Sequence, residues 1–593
     1  MQITINDKKL ECEKGQTIIQ VADQNDIKIP RFCYHPNLEV VAQCRMCLVE
    51  VEGVRKPLAA CSTPLTDGMV VKTASPLAKE AQESVLEFLL INHPLDCPIC
   101  DKGGECPLQN NAFGYGRVES HMLDTKRRLE KNKDFGQHIV FDTERCILCS
   151  RCERFCKEIT GTAEIGIVHR GSKSEIAVFD EKGVDNDFSL NVVDLCPVGA
   201  LTNKDFRFKA RPWEMKATKS FCPSCQLGCS SQFWVKTSFK DQKMLRMNSP
   251  GDADNWLCDY GRGNYKVFNN QDVHLKEPQI RVRGQLVKAS WQDALQRAHE
   301  LLSGVDVQFM FSGNLTSEAL DEVLPLIASC HPEANQKESH PLIKSWKYLK
   351  EKDLLLSLRG SHGVPWQSIS FKKLIQVEQT VQKYLPVFYL DLRKAGVSFE
   401  EVGSLKDVEL GEGVAVSIPE SILGTEEGFE SVKKIKSPSS VIPLFSASNT
   451  IALLERGLIP WQVFYCHPER GPSLSLWVNS GSIFPSLVNR IVYFTGRTLK
   501  QNFDYAPLKK AFEGSKLILQ DTIESPLCDI AEVVLPMQDL AESGGHYRTY
   551  YSFWKGTDEA RFEKCMNPVG DSLPDWKIFQ SLQHSLYSKA ENS

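Results

Sequence analysis

The chain has 593 residues, a net charge of −5, 42% hydrophobic and 24% charged residues, the balance of a globular protein of roughly three to five domains. So small a net charge gives no electrostatic reason to expect nucleic acid or an anionic membrane as partner. No run of about eighteen apolar residues occurs, so no transmembrane helix is expected. Met1 to Ile5 open directly on an alternating pattern, with neither a basic-then-apolar signal nor an Arg/Ser-rich leader. That predicts retention in a reducing compartment, the cytoplasm or its equivalent.

Residues 1–75 read as β-rich. Gln2 to Ile5, a turn at Asn6-Asp7 and Lys9 to Cys12 predict a hairpin, and Thr17 caps a short helix carrying Ile18, Ile19 and Val21. Residues 76–92 predict an amphipathic helix with Pro76 at its first position and an apolar face of Ala78, Ala81, Val85, Phe88 and Leu89; Pro94 ends it. Residues 95–215 are rich in Gly, Pro and Cys, with a thin apolar core that bound metal would have to supplement. Residues 216–265 form a further cysteine-rich module. Beyond 266, apolar runs at Val305 to Phe311, Val387 to Leu390, Val492 to Thr495, Leu517 to Leu519 and Val533 to Leu535 alternate with helical patterns such as Thr316 to Ile327. That texture predicts α/β structure with parallel strands.

Of the 21 cysteines, 17 lie at or before Cys258; only Cys330, Cys466, Cys528 and Cys565 follow. Clustered cysteines in a reducing compartment read as metal ligands rather than disulfides, and the fall in density near residue 260 reads as a domain boundary. Four ligand sets emerge. Cys33, Cys44, Cys47 and Cys61 have a plant-type [2Fe–2S] arrangement with a longer first loop; buried structural cysteines or zinc are the bland alternative. His93, Cys97, Cys100 and Cys106 suit tetrahedral zinc or a [4Fe–4S] cluster with one iron on imidazole. Cys146, Cys149 and Cys152 form the run that wraps three corners of a cubane. Cys156 follows in ferredoxin position, but the partner segment Asp194 to Ala200 carries one cysteine, so a second cubane lacks ligands. The consistent solution is one cluster on Cys146, Cys149, Cys152 and Cys196, with Cys156 a buried, non-ligating thiol. Cys222, Cys225, Cys229 and Cys258 form the fourth set, with a zinc ribbon as competitor. Cys97, Cys106, Cys196 and Cys222 are each followed by proline, which recurs in iron–sulfur ligand runs.

These residues resemble a known family. Cys33-Tyr34-His35-Pro36, Cys44 to Glu50, Asn92 to Asp101, Gly103 to Cys106, Arg145 to Cys149, Asp194 to Thr202 and Arg211-Pro212-Trp213 are similar to the large iron–sulfur peripheral-arm subunits (the 75 kDa type) of respiratory NADH:quinone oxidoreductase, complex I. The likeness is nearly continuous over residues 1–265. One departure is Ala42-Gln43, where the family tends to carry glycine. The fourth set and the stretches Arg281 to Leu295 and Ala531 to Gly545, including Glu542, resemble the molybdopterin oxidoreductases, more patchily.

The resemblance implies an α+β multidomain chain. A β-grasp [2Fe–2S] domain would span 1–75, a histidine-ligated [4Fe–4S] domain 76–135 and an all-cysteine [4Fe–4S] ferredoxin-like domain 136–215. A [4Fe–4S] module would follow at 216–265, and a shortened molybdopterin-oxidoreductase-like scaffold without molybdenum at 266–593. It settles His93 in favour of [4Fe–4S], giving one [2Fe–2S] and three [4Fe–4S] clusters. It implies electron transfer from a flavin- and NADH-binding partner, since no Gly-rich dinucleotide fingerprint follows a strand here. The acceptor would be a ferredoxin-like cluster subunit. The expected location is the cytoplasmic side of a bacterial inner membrane, peripheral, with membrane association only through the complex.

The nearest rival is an NAD-linked formate dehydrogenase. It expects lysine two residues after the last cluster cysteine, where Tyr260 stands, and a metal-binding cysteine with a Gly-rich pterin loop, which Cys330 lacks. A hydrogenase diaphorase subunit fits residues 1–215 but leaves the rest unexplained, and an iron-only hydrogenase would need a further dense cysteine constellation. A zinc-stapled interaction protein is the non-redox reading. The basic residues Lys204, Arg207, Lys209, Arg211, Lys216 and Lys219 are interrupted by Asp205 and Glu214 and read as a solvated or cluster-facing segment rather than a nucleic-acid surface.

Overall fold

The computed structural model describes residues 1–303 except 225–226, 239–240, 251–255 and 270–272. Beyond them it describes 307–310, 315–330, 373–377, 393, 397–402, 414–419, 430–433, 440–444, 490–496, 505–547 and 560–590. Contacts divide the chain into two compact units, Met1–Lys216 and Ala217–Ser593. The break precedes the fourth cysteine module, so the fall in cysteine density near residue 260 is not where contacts divide.

In the first unit, β1 (Gln2–Ile5) and β2 (Lys8–Glu11) form the expected hairpin. Asn6 and Asp7 both adopt positive φ, 47° and 68°, as a two-residue turn matched to strand twist requires. With β3 (Leu48–Val51), β4 (Leu58–Ala59) and β5 (Val70–Lys72) they make a five-stranded sheet of order β2-β1-β5-β3-β4. Only β1 and β5 run parallel, Thr4 opposite Val70. Ile3, Ile5, Val49, Val51 and Val71 meet Ile18, Ile19, Val21 and Ala22 of α1 (Ile18–Gln24) in one buried cluster. Each of the larger aliphatics contributes about 1.5–3 kcal/mol by leaving water. The Thr17 N–H at the head of α1 donates to Gln20 Oε1 at 2.8 Å.

Helix α2 (Pro76–Leu90) starts as expected, with Ser75 Oγ accepting the Ala78 N–H at 3.2 Å. Its buried face differs from the expected one: Ala78, Gln82 and Leu86 are buried, while Phe88 is 74% exposed. Gln82 turns inward because its amide supplies the Leu48 and Thr73 carbonyls, at 2.9 and 3.3 Å. Satisfying two buried acceptors outweighs the alternative apolar stripe.

After α3 (Pro107–Tyr115), strands β6 (Lys133–Asp134), β7 (Ile139–Phe141) and β10 (Leu201–Asn203) form a small sheet of order β10-β7-β6. Strands β8 (Ile165–Val168) and β9 (Glu175–Val178) form a hairpin. Helix α4 (Arg151–Arg154) runs into a π-helical turn over Phe155–Thr160, and α5 (Asn191–Leu195) delivers Cys196. Apolar packing here exceeds the sequence expectation. Phe141, Phe155, Val184 and Val192 are buried, and the Phe135 and Phe141 rings lie 4.4 Å apart.

In the second unit, β11 (Met215–Phe221), β12 (Ser230–Thr237) and β13 (Gln242–Asn248) form a three-stranded sheet beside α6 (Asp259–Gly263). The main sheet has six strands. They are β14 (Gln279–Val282), β15 (Gln285–Lys288), β16 (Val307–Met310), β21 (Ile491–Thr495), β22 (Lys516–Asp521) and β23 (Ala531–Pro536), in the order β15-β14-β23-β22-β21-β16. The last four in that order are parallel, as expected, and β14 joins antiparallel to β23.

Alternating side chains of this sheet cover both faces. Tyr493, Ile518 and Val533 pack with α7 (Trp291–Leu302), α8 (Ser317–Cys330) and α11 (Asp575–Ala590), while Val492, Leu517 and Val534 pack with α9 (Ala506–Phe512). A second, all-parallel sheet joins β17 (Lys373–Val377), β18 (Ser398–Val402), β19 (Val414–Pro419) and β20 (Ser440–Leu444). A final hairpin pairs β24 (Gly545–Tyr547) with β25 (Ala560–Phe562). The run Val387 to Leu390 lies outside the described residues. Among the described residues, no helix is long and apolar enough to cross a membrane.

One buried ion cluster ties the 274 segment to α10 (Leu540–Ser543). His274 Nδ1 lies 3.4 Å from Glu542 Oε1 and its Nε2 3.7 Å from Asp539 Oδ2. Each ring nitrogen faces a different carboxylate, which suits an imidazolium bridge. Burial opposes the charge, but Glu542 and Asp539 outweigh it, and the His274 pKa is raised above 6.5. The linkage therefore stabilises fully below pH 6.5 and is lost as pH rises through the higher folded-state value. His274→Gln is expected to cost about 3 kcal/mol at pH 6. Thermal unfolding from pH 6 to pH 9 checks this: the gap to the unmodified chain should close as pH rises.

Candidate metal centres

The first set lies on the loop after α1 and around β3 and β4. Cys33, Cys47 and Cys61 are buried and Cys44 is partly so. The Cys33 N–H points at Cys44 Sγ, 3.4 Å away. Cys33 shares hydrogen bonds with Cys44 and Cys61, and Cys47 with Cys61. Through those bonds Cys33 and Cys47 are pushed down and Cys44 and Cys61 up. Four sulfurs this close cannot all ionise unaided, and a metal cluster supplies the charge that lets them. Ala42, at the departure from the family's glycine, has φ +48°, and Arg45 inside the Cys-x2-Cys turn has φ +58°. The left-handed backbone at residue 42 is one that glycine adopts without the strain it imposes on alanine.

His93, Cys97, Cys100 and Cys106 surround a cavity of about 150 Å³ lined also by Asp96, Gly103, Arg145 and Gly199. His93 Nδ1 is buried with no hydrogen-bond partner among the described residues. Burial first, then Lys126 and Arg145, push the His93 pKa down to about 4. The ring is therefore neutral at pH 7, the form that binds metal. The loop is shaped by Asp96 O, which accepts the Ile99 and Cys100 N–H groups at 2.9 and 2.6 Å, and by Arg211, which donates to the Cys100 and Pro98 carbonyls. A Cβ on Gly199 would lie 2.1 Å from Cys100 Sγ, so this wall tolerates only glycine. An unpartnered imidazole nitrogen and three thiols around a cavity fit a [4Fe–4S] cluster.

Cys146, Cys149, Cys152 and Cys196 line one smaller cavity together. Leu148 and Ser150 within the cysteine run have φ +53° and +58°, and the Leu148 N–H points at Cys146 Sγ, 3.4 Å away. Burial raises the Cys149 thiol to about 11. Cys156 does not line that cavity; it is fully buried, and burial and Glu164 push its thiol up.

The buried Arg154 donates to the Cys33 and Glu39 carbonyls, both at 2.5 Å, and to the Cys149 carbonyl at 3.3 Å. Arg151 donates to the Tyr34 and Leu195 carbonyls, and Gln43 Nε2 to the Leu148 carbonyl at 2.8 Å. These contacts join the first set to the third. Arg151 lies within the cysteine run as a non-ligating residue and Arg154 just after it, and sequence reasoning missed the role of both, as it missed Asp96 and His274.

In the second unit the Cys222 N–H donates to the Cys229 carbonyl at 2.7 Å. A Cβ on Gly261 would meet Cys222 Sγ at 2.9 Å and Cys258 Sγ at 3.3 Å. Cys222, Cys229 and Cys258 thus gather beside α6; Cys225 lies outside the described residues. Tyr260 is 63% exposed.

Three ligand-rich regions match family models in chain order: a 2Fe-2S iron-sulfur cluster binding domain over residues 1–76, the NADH-ubiquinone oxidoreductase-G iron-sulfur binding region over 82–121, and the ferredoxin-like domain of NADH-quinone oxidoreductase subunit 3 over 136–202. The first unit therefore carries iron–sulfur domains of the ferredoxin class. Over about half of its length the chain is similar to G subunits of NADH-quinone oxidoreductase. It is 41% identical over 324 residues to the G subunit of Streptomyces coelicolor, covering 53% of this chain and 38% of the relative. It is 40% identical over 319 residues to that of Rickettsia conorii, covering 54% and 47%. To the mitochondrial NADH-ubiquinone oxidoreductase 78 kDa subunit of Neurospora crassa it is 43% identical over 297 residues, covering 50% and 39%. The match thus spans less than half the length of these relatives. A crystal structure of NAD+-reducing [NiFe]-hydrogenase in the H2-reduced state is 28% identical, over 36% of this chain and 90% of that one, with a TM-score of 0.33.

Three substitutions probe this geometry. Gly199→Ala is expected to displace Cys100 and lower bound iron by about four atoms per chain, one [4Fe–4S] cluster; iron analysis checks it. Cys156→Ala is expected to retain every EPR signal of the reduced protein, whereas Cys152→Ala loses one.

Proposed function

We propose that this chain is the electron-transferring iron–sulfur subunit of the peripheral arm of an NADH:quinone oxidoreductase, complex I. It would accept electrons from a flavin- and NADH-binding partner and pass them toward quinone by way of a ferredoxin-like cluster subunit, with proton translocation coupled in the whole complex. The observation that carries the reading is the gathering of the second and third ligand sets about separate cavities within one unit, in a segment that matches the NADH-quinone oxidoreductase relatives.

By this reading Cys33, Cys44, Cys47 and Cys61 hold a [2Fe–2S] cluster. Three [4Fe–4S] clusters are held by His93, Cys97, Cys100 and Cys106; by Cys146, Cys149, Cys152 and Cys196; and by Cys222, Cys225, Cys229 and Cys258. When bound, each cluster supplies a one-electron redox centre. The chain's own residues fix the ligands in place, keep His93 neutral and exclude water around the buried thiols. The domain organisation follows, with a [2Fe–2S] domain at 1–75, cluster modules at 76–135, 136–215 and 216–265, and a shortened molybdopterin-oxidoreductase-like scaffold at 266–593 that holds no molybdenum. The parallel strands β16, β21, β22 and β23, covered by helices on both faces, support an α/β scaffold there. Its role is to cover the fourth cluster and dock neighbouring subunits. The protein would sit peripherally on the cytoplasmic side of a bacterial inner membrane, held there by the complex.

Metal analysis of the anaerobically purified chain tests the reading. About fourteen irons per chain are expected from one [2Fe–2S] and three [4Fe–4S] clusters. Stoichiometric zinc would refute it, and stoichiometric molybdenum with formate-dependent reduction would favour a formate dehydrogenase.

A further inference from the structure

Arg145 immediately precedes Cys146 in sequence, so its neighbours in the chain suggest that it serves the all-cysteine set. Its side chain does not line that cavity. It lines the cavity of His93, Cys97, Cys100 and Cys106 instead. There it is 3% exposed. Its Nε and Nη2 donate to Asp96 Oδ2 at 3.0 and 2.8 Å, and its Nη1 to the Gly199 carbonyl at 3.5 Å.

Lys126 acts on His93 and Arg211 donates to the Cys100 carbonyl; the charges paired with Asp96 and Arg145 lie in two layers. Asp96 and Arg145 line the cavity. Behind them, Lys131 pairs with Asp96 at 2.6 Å and with Glu144 at 3.0 Å, and Asp142 lies 3.5 Å from Arg145 Nη2. None of those three lines the cavity. The Cys146 set has its own cation: Arg151 lines that cavity.

We propose that Arg145, carried by the cysteine run of one site, is the positioning residue that sets the reduction potential of its neighbour, the His93 site. This rests on the reading of His93, Cys97, Cys100 and Cys106 as cluster ligands. The physical reason is charge. Reduction adds an electron to a group beside a buried guanidinium, which stabilises the more negative form, and beside a partly buried carboxylate, which opposes it. Removing Arg145 deletes the favourable charge and leaves Asp96 facing the site with less compensation. Removing Asp96 does the reverse. The two substitutions therefore shift the potential in opposite directions, which a strut without an electrostatic role would not do.

The test is a redox titration followed by EPR on the full-length, cluster-loaded chain. The two [4Fe–4S] signals are assigned by their loss in His93→Ala and in Cys152→Ala. Arg145→Gln is expected to lower the potential of the His93-dependent signal by at least a tenfold change in its reduction equilibrium, about 59 mV for one electron. Asp96→Asn should raise it, Arg145→Lys should recover most of the loss, and the Cys152-dependent signal should move by less than half as much. Equal shifts of both signals, no shift, or Arg145→Lys behaving like Arg145→Gln would overturn the proposal. So would loss of the His93-dependent signal in the Asp96→Asn/Arg145→Gln double variant, where neither charge of the pair remains. A signal that is absent already in the unmodified chain, or that survives His93→Ala, would instead refute the ligand reading beneath it.

Discussion

Buried backbone carbonyls must find donors, and between residues 95 and 215 few strands are long enough to provide them. Arginine supplies them instead. Arg145 donates to Gly199, Arg151 to Tyr34 and Leu195, Arg154 to Cys33, Glu39 and Cys149, and Arg211 to Pro98 and Cys100. One guanidinium offers five N–H groups in a rigid fork, so it can span loops that no sheet connects. The Arg145–Asp96 pair is the most consequential of these contacts. It joins the residue before Cys97 to the residue before Cys146, and so fixes the second and third ligand sets relative to each other. Arg145 is buried and Asp96 partly so, and each has a further partner, Asp142 for Arg145 and Lys131 for Asp96, so the pair sits at the centre of a small ion network.

The same cations answer an electrostatic problem. Thiols in apolar surroundings resist ionisation, and Cys149 is held at about 11 by burial. Arg151 and Arg154 oppose that rise, and they are the residues that also tie its loop to Cys33. Mechanical linkage and charge compensation are thus vested in the same side chains. Left-handed residues contribute from the backbone side. Arg45, Leu148 and Ser150, inside the cysteine runs, turn the chain tightly, and the Leu148 N–H reaches the Cys146 sulfur.

The second unit is organised by different physics. Its six-stranded sheet is buried on both faces by alternating apolar side chains. Two sets of polar groups inside it are paired: His274 between Glu542 and Asp539, and Asp575 accepting from Thr316 N–H and Oγ. Cys222, Cys229 and Cys258 of the fourth set belong to this unit, where the buried Arg262 donates to the Met247 carbonyl at 3.5 Å.

Features governed by neighbours in sequence were legible without coordinates. The Asn6-Asp7 hairpin, the start of α2 at Pro76 and the parallel strands of the second unit follow from turn chemistry, capping and periodicity. The second and third cysteine sets were grouped by spacing and each lines a cavity, because a close Cys-x2-Cys pair brings its sulfurs together through one tight turn. The assignment of Cys196 rather than Cys156 to the third set came from counting ligands, and in the fold those four cysteines share a cavity. Tertiary structure alone decided the rest. The inward face of α2 was chosen by two carbonyls waiting for Gln82, and His274 found its carboxylates across a long stretch of chain. Arg145 turned from its own cysteine run to the neighbouring site. Each of these depends on which distant segment supplies an unpaired charge or acceptor, and no local pattern encodes that.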